Sequence, residues 1–180
     1  MPRESRRGLV IVYTGNGKGK TSAALGALVR AVGYGWHVCM IQFIKGSWYY
    51  GELDGVKRLE PDVEFIQVGE GFYKIVDDKL PETAHKQAAH QGLQLAREKI
   101  QSNDYDLIVL DEINNAIQTE LLTTADVLGL LDLKPRWLHL LLTGRGAPPE
   151  LVERADLVTE MREIKHPYQK GLMAQKGIDF

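Results

Sequence analysis

At 180 residues the chain is long enough for one well-buried core and short for two. Its 44% hydrophobic and 26% charged residues match ordinary soluble globular usage, and a net charge of -2 argues against a large nonspecific nucleic-acid surface. The single cysteine, Cys39, excludes an internal disulfide and a cysteine-based zinc cluster, and it suits a reducing compartment. No run approaches the roughly 20 apolar residues that cross a bilayer, and no hydrophobic segment follows the basic MPRESRRG. A cytoplasmic protein with neither membrane nor nucleic-acid partners is expected.

Apolar, β-branched runs alternate with stretches of helical spacing. GLVIVYT (8–14) reads as a buried strand and runs into a glycine-rich loop. A helix is predicted over 20–33, with Ala24, Leu28 and Ala31 on one face. Strands follow at 37–44 and 63–68, with Cys39 as a core residue of the first. Pro81 suits a helix start, and Ala89, Leu93, Ala96 and Ile100 repeat along one face of a long helix ending near Ser102. Further strands are predicted at 106–110, 137–143 and 156–161, with short helices at 123–132 and 148–154.

This alternation predicts an α/β fold, a mostly parallel sheet with helices on both faces, as one domain over 1–180. Ligands in such sheets bind beyond the carboxyl ends of the strands. Two connections exceed what packing needs. Residues 45–61 carry Trp48, Tyr49 and Tyr50, and residues 69–79 carry Phe72 and Tyr73. Two readings stand: binding loops whose aromatics face a ligand, or loops whose aromatics staple them onto the body.

The stretch TGNGKGKTS (14–22) ends as a phosphate loop does, with Gly19, Lys20 and Thr21 in order. The common pattern G-x-x-x-x-G-K-[ST] would place glycine at position 14, where this chain has Thr14. The anion site does not need it. Gly15, Gly17 and Gly19 let the backbone turn N–H groups inward, and the following helix adds the positive end of its dipole. Lys20 can reach the outer phosphates and Thr21 can offer its hydroxyl to magnesium. LIVLDE (107–112) supplies a second element, an apolar strand ending in Asp111 and Glu112, either of which can hold that ion. Arg145, in Gly-Arg-Gly after the fifth strand, is expected on the ligand side.

No histidine pair has metal-ligand spacing, and His139, within a strand, reads as a packed residue. A loop, a lysine and magnesium neutralise a polyphosphate whichever end of it leaves. Spacing therefore leaves open attack at the γ-phosphate, as in an ATPase or kinase, and attack at the 5′ carbon of the ribose.

The string TGNGKGKTSAALGALVRAVGYG resembles the phosphate loop and first helix of the ATP:corrinoid adenosyltransferases, in which the loop also begins with threonine. The resemblance continues in order through IQFIKGSW, YGE, VEF, GF, LIVLDE, LTGRGAP, ERADLV, IKHPY and AQKGIDF, nearly the whole chain. It implies a RecA-like, three-layer phosphate-loop fold. It also implies transfer of the 5′-deoxyadenosyl group of ATP to cobalt(I) of a reduced corrinoid (cobalamin, cobinamide or cobyrinic acid diamide), with triphosphate leaving.

Carried onto this chain, the resemblance has Gly15, Asn16, Gly17, Lys18, Gly19, Lys20, Thr21 and Ser22 wrapping the triphosphate, with Lys20 the main charge. Magnesium or manganese would sit on Thr21 and Glu112, with Asp111 assisting. Phe43, Trp48, Phe72 and Tyr73 become candidates for corrinoid contact, and Phe72 for holding the lower face of the ring apolar. A homodimer and a reduced flavoprotein electron donor are the implied partners. The chain departs from the family at Lys74, two residues after the phenylalanine of GF, where relatives often carry an aromatic.

Overall fold

The computed structural model describes residues 3–44, 49–69 and 80–180. Trp48, Phe72 and Tyr73 lie outside these. Six strands, β1 (Val10–Thr14), β2 (Val38–Gln42), β3 (Val63–Gln67), β4 (Leu107–Asp111), β5 (His139–Thr143) and β6 (Leu157–Glu160), form one sheet. Their order is β3-β2-β4-β5-β1-β6, and every pair is parallel. Each predicted strand is present: β4 is shifted by one residue from 106–110 to 107–111, and the others are shortened at one or both ends.

Among the described residues six α-helices connect them: α1 (Lys20–Val32), α2 (Gly51–Lys57), α3 (Glu82–Ser102), α4 (Ile113–Gln118), α5 (Thr124–Leu133) and α6 (Pro149–Arg154). The strands' alternation divides the interior into two cores. Val12, Ile41, Ile108, Leu110 and Leu142 face one side, with Leu93, Ala96 and Ile100 of α3 and Leu130 of α5. Met40, Val109 and Leu141 face the other side, with Ala24 and Leu28 of α1 and Val56 of α2. Apolar residues at consecutive positions are therefore buried on opposite faces, as a doubly covered parallel sheet requires.

Cys39 is fully buried, and burial pushes its thiol up to about 12, so it is a core residue without reactive character. β6 differs from the other strands: all four of its residues are exposed, at the sheet edge beside β1. Two helices were not predicted. α2 lies within the stretch read as a loop, and α4 follows directly on β4. Among the described residues no helix is long and apolar enough to cross a membrane.

Candidate active site

The carboxyl ends of β1, β4 and β5 meet beneath the start of α1. Gly19 adopts φ 104° there, and Lys20 opens the helix. Gly15 has φ 95°, and a Cβ on it would lie 2.4 Å from the carbonyl oxygen of Met161. At Gly17 a Cβ would lie 2.7 Å from the carbonyl carbon of Arg162. The chain leaving β6 is what closes in: the Gly17 N–H donates to Met161 O at 2.7 Å, and the Met161 N–H to Thr14 O at 2.8 Å. Glycine is needed at 15 and 17 for this approach as well as for the turn. The Thr14 hydroxyl accepts from the Ala147 N–H at 3.2 Å, tying the loop after β1 to the one after β5.

Lys20 is buried, and its Nζ donates to the carbonyls of Gly15 and Gly17, both at 2.8 Å. Burial pulls its pKa below the ordinary 10.5; Glu112 opposes that pull and Arg145 adds to it. Asp111 is fully buried and accepts from three side chains: Thr21 Oγ1 at 3.0 Å, Thr143 Oγ1 at 2.7 Å and Gln42 Nε2 at 3.1 Å. Glu112, its neighbour, takes φ 63° at the turn from β4 into α4, and its N–H donates to Thr143 Oγ1 at 2.9 Å. A left-handed glutamate is uncommon, and such strain is characteristic of functional turns.

Lys20, Thr21 and Glu112 border a cavity of about 820 Å³, whereas Asp111 lies buried behind Thr21 and does not line it. Lys18, Gly19, Lys20, Thr21 and Ser22 line one side, and Glu112 and Arg145 line it too. Gly15 and Gly17 contribute through Lys20 and not as lining. Asn16, expected with the loop, is exposed and does not line the cavity; it stands between the two glycines held against Met161 and Arg162. Phe43 is a correction: expected at the corrinoid, it is fully buried in the core beside Gly92 of α3, because it continues the inward face of β2.

Several lining residues escaped the sequence reading. Asn115 comes from the unpredicted α4 and Thr119 from the residue that caps its end, Glu52 from α2, and Gly177 to Phe180 from the segment AQKGIDF. Lys18 forms an ion pair with Asp179 of that segment. Only the family resemblance pointed to these last residues, since their spacing carries no chemistry of its own. Thr21 and Glu112 offer hard oxygen donors at the cavity, a set that suits magnesium once phosphate oxygens complete it.

A parallel three-layer sheet with this loop and this acid pair defines a phosphate-loop nucleotide-binding protein. The chain belongs to the family described as ATP:corrinoid adenosyltransferase BtuR/CobO/CobP, whose model matches residues 6–180. It is therefore a corrinoid adenosyltransferase by family, with ATP as co-substrate.

A corrinoid adenosyltransferase of Pseudomonas aeruginosa is 40% identical over 174 residues, covering 97% of this chain and 84% of the relative. One from Escherichia coli K12 is 38% identical over 178 residues, covering 98% and 88%. The corrinoid adenosyltransferase CobA of Salmonella typhimurium is 38% identical over 179 residues, with the same coverage. Among solved structures, the flagellar accessory protein FlaH of Methanocaldococcus jannaschii superposes with a TM-score of 0.59 at 12% identity, covering 86% of this chain and 71% of that one. That likeness concerns the fold alone.

Proposed function

We propose that the cavity over the phosphate loop is where this chain carries out the family's adenosyl transfer, with its own residues in the following roles. The triphosphate of ATP lies along Lys18 to Ser22, the part of the loop that lines the cavity, with Gly15 and Gly17 acting through Lys20. Lys20 turns from the Gly15 and Gly17 carbonyls to the phosphates. Two hydrogen bonds from an ammonium to carbonyls contribute about 1.5–3 kcal/mol each at most. A single phosphate charge at 4 Å contributes about 4 kcal/mol at an effective dielectric of 20, and a triphosphate carries several, so the exchange favours the nucleotide.

Thr21 and Glu112 hold magnesium or manganese, which adds positive charge against the leaving triphosphate. Asp111 fixes the Thr21 hydroxyl from behind, and Arg145 supplies further charge at the rim. Cobalt(I) of the reduced corrinoid gives its electron pair to the 5′ carbon as the bond from that carbon to the triphosphate oxygen breaks. The oxygen leaves with its pair, so the protein needs no nucleophile of its own. Trp48, Phe72 and Tyr73 contact the corrinoid, with Phe72 beneath the ring. The enzyme acts as a single-domain subunit of a cytoplasmic homodimer, in synthesis or salvage, and a reduced flavoprotein supplies the electrons.

The observation that carries this reading is one cavity bordered by Lys20, Thr21, Glu112 and Arg145. Incubation with ATP, magnesium and chemically reduced cobalamin is expected to yield adenosylcobalamin and triphosphate in equal amounts. Stoichiometric ADP and phosphate would overturn it. Glu112→Gln should lower kcat and raise the magnesium requirement with the fold intact. Phe72→Ala should impair the reaction from cobalt(II) corrinoid while ATP binding persists, and unchanged cobalt(II) kinetics would remove Phe72 from that role.

A further inference from the structure

Asn115, on the first turn of α4, lines the cavity over the phosphate loop. The helix begins at the left-handed Glu112, and the Asn115 N–H donates to the Glu112 carbonyl at 3.1 Å. The Asn115 side chain reaches the loop after β5, where its Oδ1 accepts the Arg145 N–H at 2.5 Å. That approach depends on Gly144, at φ 131°, where a Cβ would lie 2.6 Å from the same Oδ1. The preceding residue, Asn114, adds a longer bond from its Nδ2 to the Gly144 carbonyl at 3.4 Å.

These contacts fix the orientation of the Asn115 carboxamide. A backbone N–H can only donate, so the atom that meets Arg145 is the oxygen, and the nitrogen is the free end. Nδ2 donates to nothing among the described residues, and it is not enclosed, since Asn115 is half-buried. Asn114 contrasts with it: fully buried, with its Oδ1 sealed away from the cavity's solvent. A side chain already held at one end loses little rotamer freedom when the other end meets a ligand. Asn115 therefore offers a preorganised, uncharged donor on the border of a cavity that Lys20, Thr21, Glu112 and Arg145 also line. Such polar company suits the sugar and phosphates of a nucleotide better than its flat base.

We propose that Asn115 contacts ATP directly, its Nδ2 donating to an oxygen of the sugar–phosphate part. The assignment rests on the cavity being the nucleotide site, and it adds a residue that reads the position of an oxygen where Lys20 responds to charge. One carboxamide thus does two things: its oxygen holds the Arg145 loop, and its nitrogen meets the substrate that Arg145 faces. A residue that only held the loop would act through Arg145, and the two roles separate by experiment.

The test is calorimetric binding of magnesium-ATP to the full chain, as wild type, Asn115→Ala, Arg145→Ala and the double variant. Alanine is a good helix former, and far-UV circular dichroism checks that α4 and the fold persist. Arg145→Ala removes the guanidinium, so a residue that only steadied Arg145 would have nothing left to lose in that background. Adding Asn115→Ala to Arg145→Ala is expected to weaken ATP binding by a further three- to tenfold or about that. No further loss would overturn the contact and leave Asn115 as a holder of the loop. Analogues then identify the oxygen. If it is a ribose hydroxyl, the Asn115→Ala loss disappears with whichever of 2′-deoxy-ATP and 3′-deoxy-ATP lacks it. If it is a phosphoryl oxygen, the loss persists with tripolyphosphate. A loss kept by both deoxynucleotides and missing with tripolyphosphate would put the contact on the base and overturn the assignment. Wild-type protein that binds no magnesium-ATP would instead overturn the nucleotide site, and this contact with it.

Discussion

Asp111 and Glu112 are adjacent in sequence and divided in role. The strand-end pair reads as two interchangeable metal-binding acids until their surroundings are known. Asp111 is sealed among Thr21, Thr143 and Gln42, whereas Glu112 turns into the cavity through its left-handed backbone. Thr143 serves both, donating to Asp111 and accepting from the Glu112 N–H. Thr143→Val keeps the shape and removes both bonds, so it should cost about 1–3 kcal/mol of stability and lower kcat by displacing Glu112. Urea unfolding and steady-state kinetics measure the two effects. Thr14→Gly, which would restore the commoner loop pattern, should cost about 0.5–1.5 kcal/mol by releasing Ala147. It should also raise the KM for ATP as the Arg145 loop loosens, and an unchanged KM would remove that link.

Lys20, Thr21 and Asp111 were legible because their chemistry is carried by local spacing and by the end of an apolar run. Gln42 and Thr143 were not. Each matters only through its register neighbour: Gln42 lies opposite Asp111 across β2 and β4, and Thr143 ends the adjoining β5. A single sequence states neither strand order nor register.

At the scale of elements, the long helix and the six strands were legible because their apolar periods run for several repeats. The short helices were not. α2, GELDGVK, contains two glycines, and α4, INNAIQ, contains two asparagines, so local propensity is weak and tertiary contacts decide. The seam between α3 and the end of β2 is tight. A Cβ on Gly92 would lie 2.6 Å from Val68 Cγ2 and 2.9 Å from Phe43 Cε1. Helix propensity favours alanine over glycine by up to about 1 kcal/mol. Overpacking costs about 1–3 kcal/mol, so Gly92→Ala should destabilise on balance. A rise in the urea midpoint for this variant would show that the seam yields.

Over the whole molecule, acid stability follows from the end of the sheet remote from ATP. The His139 Nδ1 accepts the Leu9 N–H at 3.2 Å, and burial, followed by Arg6 and Lys134, holds the imidazole pKa below 6.5. The unfolded chain gains that proton near pH 6.5 and the folded one does not, so stability falls as pH drops below that value. For Asp106 burial pushes upward, but hydrogen bonds from Arg3, the His37 N–H and Arg6 outweigh it and leave the carboxyl below 3.8. Its contribution is complete above about pH 3.8 and lost as pH falls through the lower folded value. The urea midpoint should therefore decline in two stages towards acid. His139→Gln should remove the first stage and spare the second.

The place of β1 in the sheet has a consequence for how the protein is made. Val10 pairs with Leu140 on one side, and Ile11 with Leu157 on the other, so β1 has no partner strand until the chain beyond residue 139 exists. At about 5–20 residues per second, the ribosome leaves VIVYT waiting roughly 6–25 s after it has been synthesised. β2, β3 and β4, adjacent in the sheet, can associate during that interval. The stretch that opens the phosphate loop is thus made well before either of its neighbours in the sheet, an exposed apolar segment that a nascent-chain chaperone is suited to cover.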